Sequence, residues 1–166
     1  KIKAPEIQFQ LEKYVLPGKN IPVRVAYKNQ KWVKLIAHPI TSTQYLKMQR
    51  TRNKGRRNKE KAAWSYQIDL PQKKGYFSRS IIDMLPSLPA GFYRIQFKTE
   101  KQVAPKKRHN TEILVNSTNL AAITRPRKNK TELRTINRTT GRIEKNTAAQ
   151  LLNRRYDHQT RRQYYE

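Results

Sequence analysis

The stretch LPAGFYRIQF, residues 88–97, decides how the rest of the chain is read. Pro89 and Gly91 punctuate a turn. After it, Phe92, Arg94 and Gln96 alternate with Tyr93, Ile95 and Phe97, which is the period of two that a strand with one buried face requires. Tyr93 and Ile95 are expected to fill a core, and Arg94 to stand on the opposite, solvated side. The same rhythm runs outward on both sides of this stretch. Ile7, Phe9 and Leu11 alternate with Gln8, Gln10 and Glu12. LPGKN (16–20) is a turn in which Pro17 presets φ and Gly18 accepts φ > 0. Ile21, Val23, Val25 and Tyr27 form a further strand, and Trp32 begins the next one, whose end Pro39 restricts. KNQK (28–31) between them reads as a tight hairpin connection with Asn29 near its apex.

Residues 41–61, TSTQYLKMQRTRNKGRRNKEK, break the pattern and predict a short helix followed by a basic loop. Strand signals resume at AWSYQIDL (63–70), YFSRSIIDML (76–85), FYRIQFKTE (92–100) and TEILVNST (111–118). This amounts to about seven strands in about 117 residues with turn-rich connections, an all-β, antiparallel sandwich with a basic insertion at 41–61. A second unit, 118–166, has strand-like NLAAITR (119–125), TELRTIN (131–137) and AAQLLNRRYD (148–157), with RRQYYE opening a fourth. Gly141 centres the turn in RTTGRIEKN (138–146). Three or four strands bury too little for a complete sandwich, so this unit is expected to be the first half of a second β-domain.

The charge balance is a separate signal. Lys and Arg number 37 against 11 Asp and Glu, a formal charge of +26. Such a field attracts phosphate backbones, anionic surfaces or acidic proteins. The densest runs predict the contact residues: Arg50, Arg52, Lys54, Arg56 and Arg57 in the insertion, and Lys106, Lys107 and Arg108 in the connection 101–110. Base-stacking aromatics are missing inside these runs, which equally fits solvated loops. Tyr27, Trp32, Trp64, Tyr66, Phe92 and Tyr93 stand at strand spacing and are expected to be core or cross-strand partners.

Motifs for chemistry are sparse. The chain has no cysteine, which excludes disulfides, thiolate metal sites and a thiol nucleophile. His38, His109 and His158 share no ligand spacing, and Asp69, Asp83 and Asp157 stand apart from any second carboxylate in sequence. With five glycines and no phosphate-cradling motif, the sequence points to no enzyme and no cofactor. No run of 18 apolar residues predicts a membrane span. The first residue is Lys1, as expected of a mature product or an excised fragment. NST (116–118), NKT (129–131) and NRT (137–139) match the glycosylation triplet, which short polar sequences also produce by chance.

The order of these marks resembles a known family. PEIQFQLEKYVLPGKNIPVRVAYKNQKWVKLIAHPI, with Tyr14, Leu16, Pro17, Gly18, Pro22, Val23, Val25, Tyr27 and Asn29 in place, is similar to the opening of a macroglobulin domain in bacterial alpha-2-macroglobulin-like proteins. WSYQIDLPQKKGYFSRSIIDMLPSLPAGFYRIQF resembles the later part of such a domain, and NLAAITR with TINRTTGRIEKNTAAQLLNR the start of the one that follows. The resemblance implies macroglobulin-like sandwiches at 1–117 and 118–166, and a scaffold role in a large extracytoplasmic protein of the bacterial periplasm or cell surface. It implies a parent that inhibits proteases by entrapment. The partners would be neighbouring macroglobulin domains of the same chain and target proteases, with an acidic protein or polyanion surface as the charge-based alternative. Tyr14, Pro17, Gly18, Trp64, Pro89, Gly91, Tyr93 and Gly141 would fix strands and turns. The family's thioester motif requires a cysteine that this sequence lacks.

Overall fold

Alternating burial turns the apolar rows of the sequence into two facing sheets. The computed structural model describes residues 4–50, 61–72, 77–101, 112–128, 130–148, 154–157, 159 and 162–165, and of Arg50, Arg154, Asp157 and 162–165 the backbone only. The elements are β1 (Glu6–Leu11), β2 (Tyr14–Val15), β3 (Ile21–Lys28), β4 (Trp32–Ile40), α1 (Ser42–Arg50), β5 (Trp64–Asp69), β6 (Arg79–Leu85), β7 (Gly91–Thr99), β8 (Glu112–Ser117), β9 (Leu120–Arg127), β10 (Lys130–Asn137), β11 (Arg154–Asp157) and β12 (Arg162–Tyr165). They divide into two compact units, Lys1–Asn119 and Leu120–Glu166.

In the first unit, a three-stranded sheet of order β1-β3-β6 faces a five-stranded sheet of order β2-β8-β7-β4-β5. Ile7, Val23, Val25, Tyr27 and Leu85 of the narrower sheet are buried with Val33, Leu35, Ala37, Ile68, Tyr93, Ile95 and Val115 of the wider one in a single core. The rings of Phe9 and Phe97 stack across it, with centroids 3.9 Å apart. Each such aliphatic side chain contributes roughly 1.5–3 kcal/mol by leaving water, an upper figure for a chain that is partly collapsed when unfolded. All pairings are antiparallel except the two-residue β2, which lies parallel to β8 through Tyr14↔Asn116 and Val15↔Ser117. A strand of two residues is too short for any periodicity to announce it.

The connection 28–31 is not a hairpin. β3 pairs with β1 and β6, while β4 pairs with β5 and β7, so KNQK carries the chain from one sheet to the other. Two neighbouring strands in one layer would leave both inward rows without a cover; crossing the sandwich sets Val23 and Val25 against the row of Val33 and Leu35. Asn29 makes the corner at φ 53°, a left-handed conformation that Asn tolerates better than most residues. Gln30 fastens it. Fully buried, its Nε2 donates to the Lys101 carbonyl at 2.9 Å, and its Oε1 accepts from the Lys101 N–H at 3.1 Å. Its own carbonyl accepts from Gln72 Nε2 at 2.7 Å, and Leu70 N–H donates to the Lys31 carbonyl at 2.7 Å.

The turn before β3 follows its residues. Lys19 N–H reaches the Leu16 carbonyl at 3.3 Å, with Pro17 and Gly18 at the two central positions and Gly18 at φ 70°, the arrangement of a type II turn. Helix α1 begins at a reciprocal cap. Gln44 N–H donates to Thr41 Oγ1 at 3.2 Å and Thr41 N–H to Gln44 Oε1 at 2.8 Å, the pairing that T-x-x-Q supports at a helix start. Residues 51–60, the rest of the basic insertion, lie outside the described residues.

Arg94 corrects the expectation of a solvated outer side on β7. It does point away from Tyr93 and Ile95, but it is 2% exposed. Its register neighbours are His38 on β4 and Leu114 on β8. Helix α1 packs on the same strand through Tyr45, whose ring meets Phe92 at 4.7 Å. The wider sheet is therefore covered on parts of both faces, and alternation locates the two rows of β7 without making the second one wet.

The second unit consists of two antiparallel ribbons, β9 with β10 and β11 with β12, and an isolated bridge from Ile136 to Ile143. β9 runs through Pro126 to Arg127, further than the sequence suggests; among the described residues its other edge has no partner strand, and such an edge accepts a residue without an N–H. Among its described residues none is buried, and Leu120, Ile123, Leu133, Ile143 and Tyr156 are exposed.

Candidate functional site

Of the basic residues that the sequence singled out, Arg50 ends α1, with only its backbone described. Arg52, Lys54, Arg56, Arg57, Lys106, Lys107 and Arg108 lie outside the described residues. Among the described residues, four cations come together on the β9–β10 ribbon. Register pairs Arg127 with Lys130, Arg125 with Glu132 and Ile123 with Arg134, so Arg125, Arg127, Lys130 and Arg134 share one face. Glu132 stands among them. Its Oε1 accepts from Arg134 Nε at 2.7 Å, and its Oε2 lies 3.6 Å from Arg127 Nη2. One carboxylate thus orders two guanidinium groups on a face that keeps a net positive charge. The alternation Arg125, Arg127 and Lys130, Glu132, Arg134 was visible in the sequence, but pairing of the two strands was needed to bring the rows together.

Of the other residues that the sequence named, His109 and His158 lie outside the described residues. His38 is on β4 beside Arg94, and Arg94 Nη1 lies 3.7 Å from Glu112 Oε2. Asp69 accepts from Gln67 Nε2 at 2.9 Å. Among the described residues no three His, Asp or Glu side chains group as metal ligands would. Asn137 holds the turn at Gly141. Its Oδ1 accepts from the N–H groups of Thr139 and Thr140 at 3.0 and 3.1 Å, its Nδ2 donates to Glu144 at 2.9 Å, and Gly141 takes φ 70°. That engagement fits a structural asparagine better than a glycosylation acceptor. Pro89 is exposed ahead of Gly91, which takes φ 149° at the start of β7.

Burial raises the Tyr45 phenol above its usual value, the neighbouring Tyr14 raises it further, and a hydrogen bond with Gln49 opposes both. Burial alone raises Tyr93. A group whose folded pKa is raised stabilises the fold fully below its unfolded value, and that stability is lost as pH rises through the folded one. The melting temperature is therefore expected to fall as pH rises above 10, the unshifted tyrosine value. Tyr45→Phe should make the fall shallower in a thermal series, and an identical slope would rule out this phenol as a cause.

No family model and no curated protein matches this chain. Among solved structures it is similar to native alpha-2-macroglobulin from Escherichia coli, in a crystal structure spanning domains MG0-NIE-MG1. That match covers 85% of this chain at 15% identity with a TM-score of 0.61. It takes in 48% of the other chain, so this chain spans about half of that structure's length. A second structure of the same protein, spanning NIE-MG1, matches over 86% of this chain and 74% of its own at 15% identity and a TM-score of 0.60. The chain has the all-β fold of these bacterial alpha-2-macroglobulin fragments.

Proposed function

We propose that this chain is a scaffold segment of a larger alpha-2-macroglobulin-like protein that inhibits proteases by entrapment outside the cytoplasm. The similarity of 85% of the chain to macroglobulin fragments carries the reading. In this reading Lys1–Asn119 is one macroglobulin-like sandwich, and the second unit is the beginning of another. The second unit supports it by composition: its described residues expose Leu120, Ile123 and Leu133 on the β9–β10 ribbon and Ile143 beside it, and two-stranded ribbons are marginal without a further layer. The segment acts by packing and does no chemistry of its own. No helix among the described residues is long and apolar enough to cross a membrane. The test uses the full-length protein and proteases of several specificities. Entrapment removes activity toward large protein substrates while sparing small peptide substrates, because the protease active site stays open. Equal loss on both would mean active-site inhibition, and no loss on either would sink the inhibitor reading.

A second reading rests on the cationic face of the β9–β10 ribbon. Such a face, in a chain of charge +26, suits a polyanion. Nucleic-acid binding with a steep fall in affinity as salt rises, abolished by reversing Arg125 and Arg127 to Glu, would favour it. Binding indifferent to those two changes would count against it.

A further inference from the structure

The outer edge of β6 is built to accept another strand. β6 pairs with β3 on one side, and among the described residues nothing pairs with it on the other. Met84 N–H donates to Oδ1 of its neighbour Asp83 at 2.7 Å, so it is turned away from β3. In an antiparallel strand both main-chain groups of one residue face the same side, and residues two apart agree. Ser80 and Ile82 therefore present their N–H and C=O groups to the same free edge. Pro22 opposite Met84 agrees with this, since a residue without an N–H is tolerated where no ladder bond to β6 is made.

The outer-face side chains along this edge are Ser80, Ile82 and Met84, two of them apolar where natural edges are usually blunted by charge, and Arg79 and Asp83 alternate with them on the other face. Ile82 is 75% exposed, Met84 48%, and Phe77, two residues before β6, 78%. The sheet is also two strands narrower than the one it faces, and Ile81 on its inner side packs against the core only partly buried. An added strand would cover Ile81 on one face and Ile82 and Met84 on the other.

We infer that the β6 edge docks an extended acidic peptide segment of a partner protein by strand addition, the main-chain bonds giving affinity and alternate apolar residues giving register. The sign follows from charge. A second copy of a chain carrying +26 is repelled, while an acidic segment is drawn in. Beside Ile82 on the outer face stands Arg24, whose partner on β1 is the uncharged Gln10. The proposal does not depend on the family reading.

The full 166-residue chain is titrated with fluorescently labelled peptides of about ten residues, long enough to span one strand. One alternates Val and Glu, one alternates Val and Lys, and one is a scramble of the first. Saturable binding of the Val/Glu peptide alone is expected. Ile82→Pro, which removes an edge N–H and leaves the β3 ladder intact, should weaken it at least about tenfold. Ile82→Glu, an exposed change that leaves the melting temperature unmoved, should weaken it as well, so the result stands even if the proline variant is poorly folded. Binding that survives Ile82→Glu, equal binding of all three peptides, or self-association of the chain through this edge would each overturn the proposal.

Discussion

Leu35→Ala is expected to lower the stability of the first unit by about 2–5 kcal/mol, the usual cost of truncating a fully buried leucine. Leu35 has no exposed surface. It lies on β4 between Tyr66 of β5 and Phe97 of β7, with the narrower sheet above it. Both sheets hold their backbones in hydrogen-bonded ladders, so the walls cannot close around a lost side chain. The cost therefore falls in the upper part of that range. In a thermal melt this is a drop of roughly 10–20 °C for a unit of this size. Ile82→Ala, the same kind of truncation at a site 75% exposed, is expected to change the midpoint by less than about 0.5 kcal/mol. Equal effects of the two substitutions in a denaturant titration would mean that the two-sheet core is not where the stability lies.

Gln30→Ala carries the second large effect, and it acts through hydrogen bonds. The carboxamide closes a pair with both main-chain groups of Lys101. Without it, the main-chain N–H and C=O of Lys101 lose their partners together, at about 1–3 kcal/mol for each group that water cannot reach. A total of about 1–3 kcal/mol is expected, since Lys101 is itself exposed and water can replace part of the lost bonding. Gln30→Glu separates geometry from chemistry. Its shape is unchanged, but an acceptor replaces the donor that faces the Lys101 carbonyl, and a charge is placed in a buried corner. It should be at least as destabilising as Gln30→Ala at neutral pH and should recover part of the loss in acid, where a protonated carboxyl donates again. A Gln30→Ala protein with unaltered stability would show that the corner is held by main-chain bonds alone.

Both effects bear on how much of the molecule was legible. Burial at Val23, Val25, Leu35, Tyr93 and Ile95 follows directly from period-two alternation. The turns at Gly18 and Gly141 follow from residue chemistry: a residue without a Cβ reaches φ 70° at little cost. A short helix within 41–61 was announced by the loss of alternation, while its bounds and its cap by Thr41 and Gln44 came from the structure. The role of Gln30 was not legible, because its partner lies 71 positions away and nothing local sets the pair. The cationic ribbon face was half legible: each strand showed its row, and their union required the register of β9 against β10.

What the sequence determined by itself is the longer strands of the first unit and which side of each faces the core, since side-chain direction in a strand depends only on parity. The tertiary structure alone decided which strands are neighbours. It sent residues 28–31 across the sandwich instead of around a hairpin, because two apolar rows are buried best when they face each other from different sheets. It also decided that Arg94, on the side opposite the core, is buried and not solvated, since whether a second face is wet depends on what later packs upon it. Parity is a local property of the backbone; adjacency and cover are settled by contacts between residues distant in the chain.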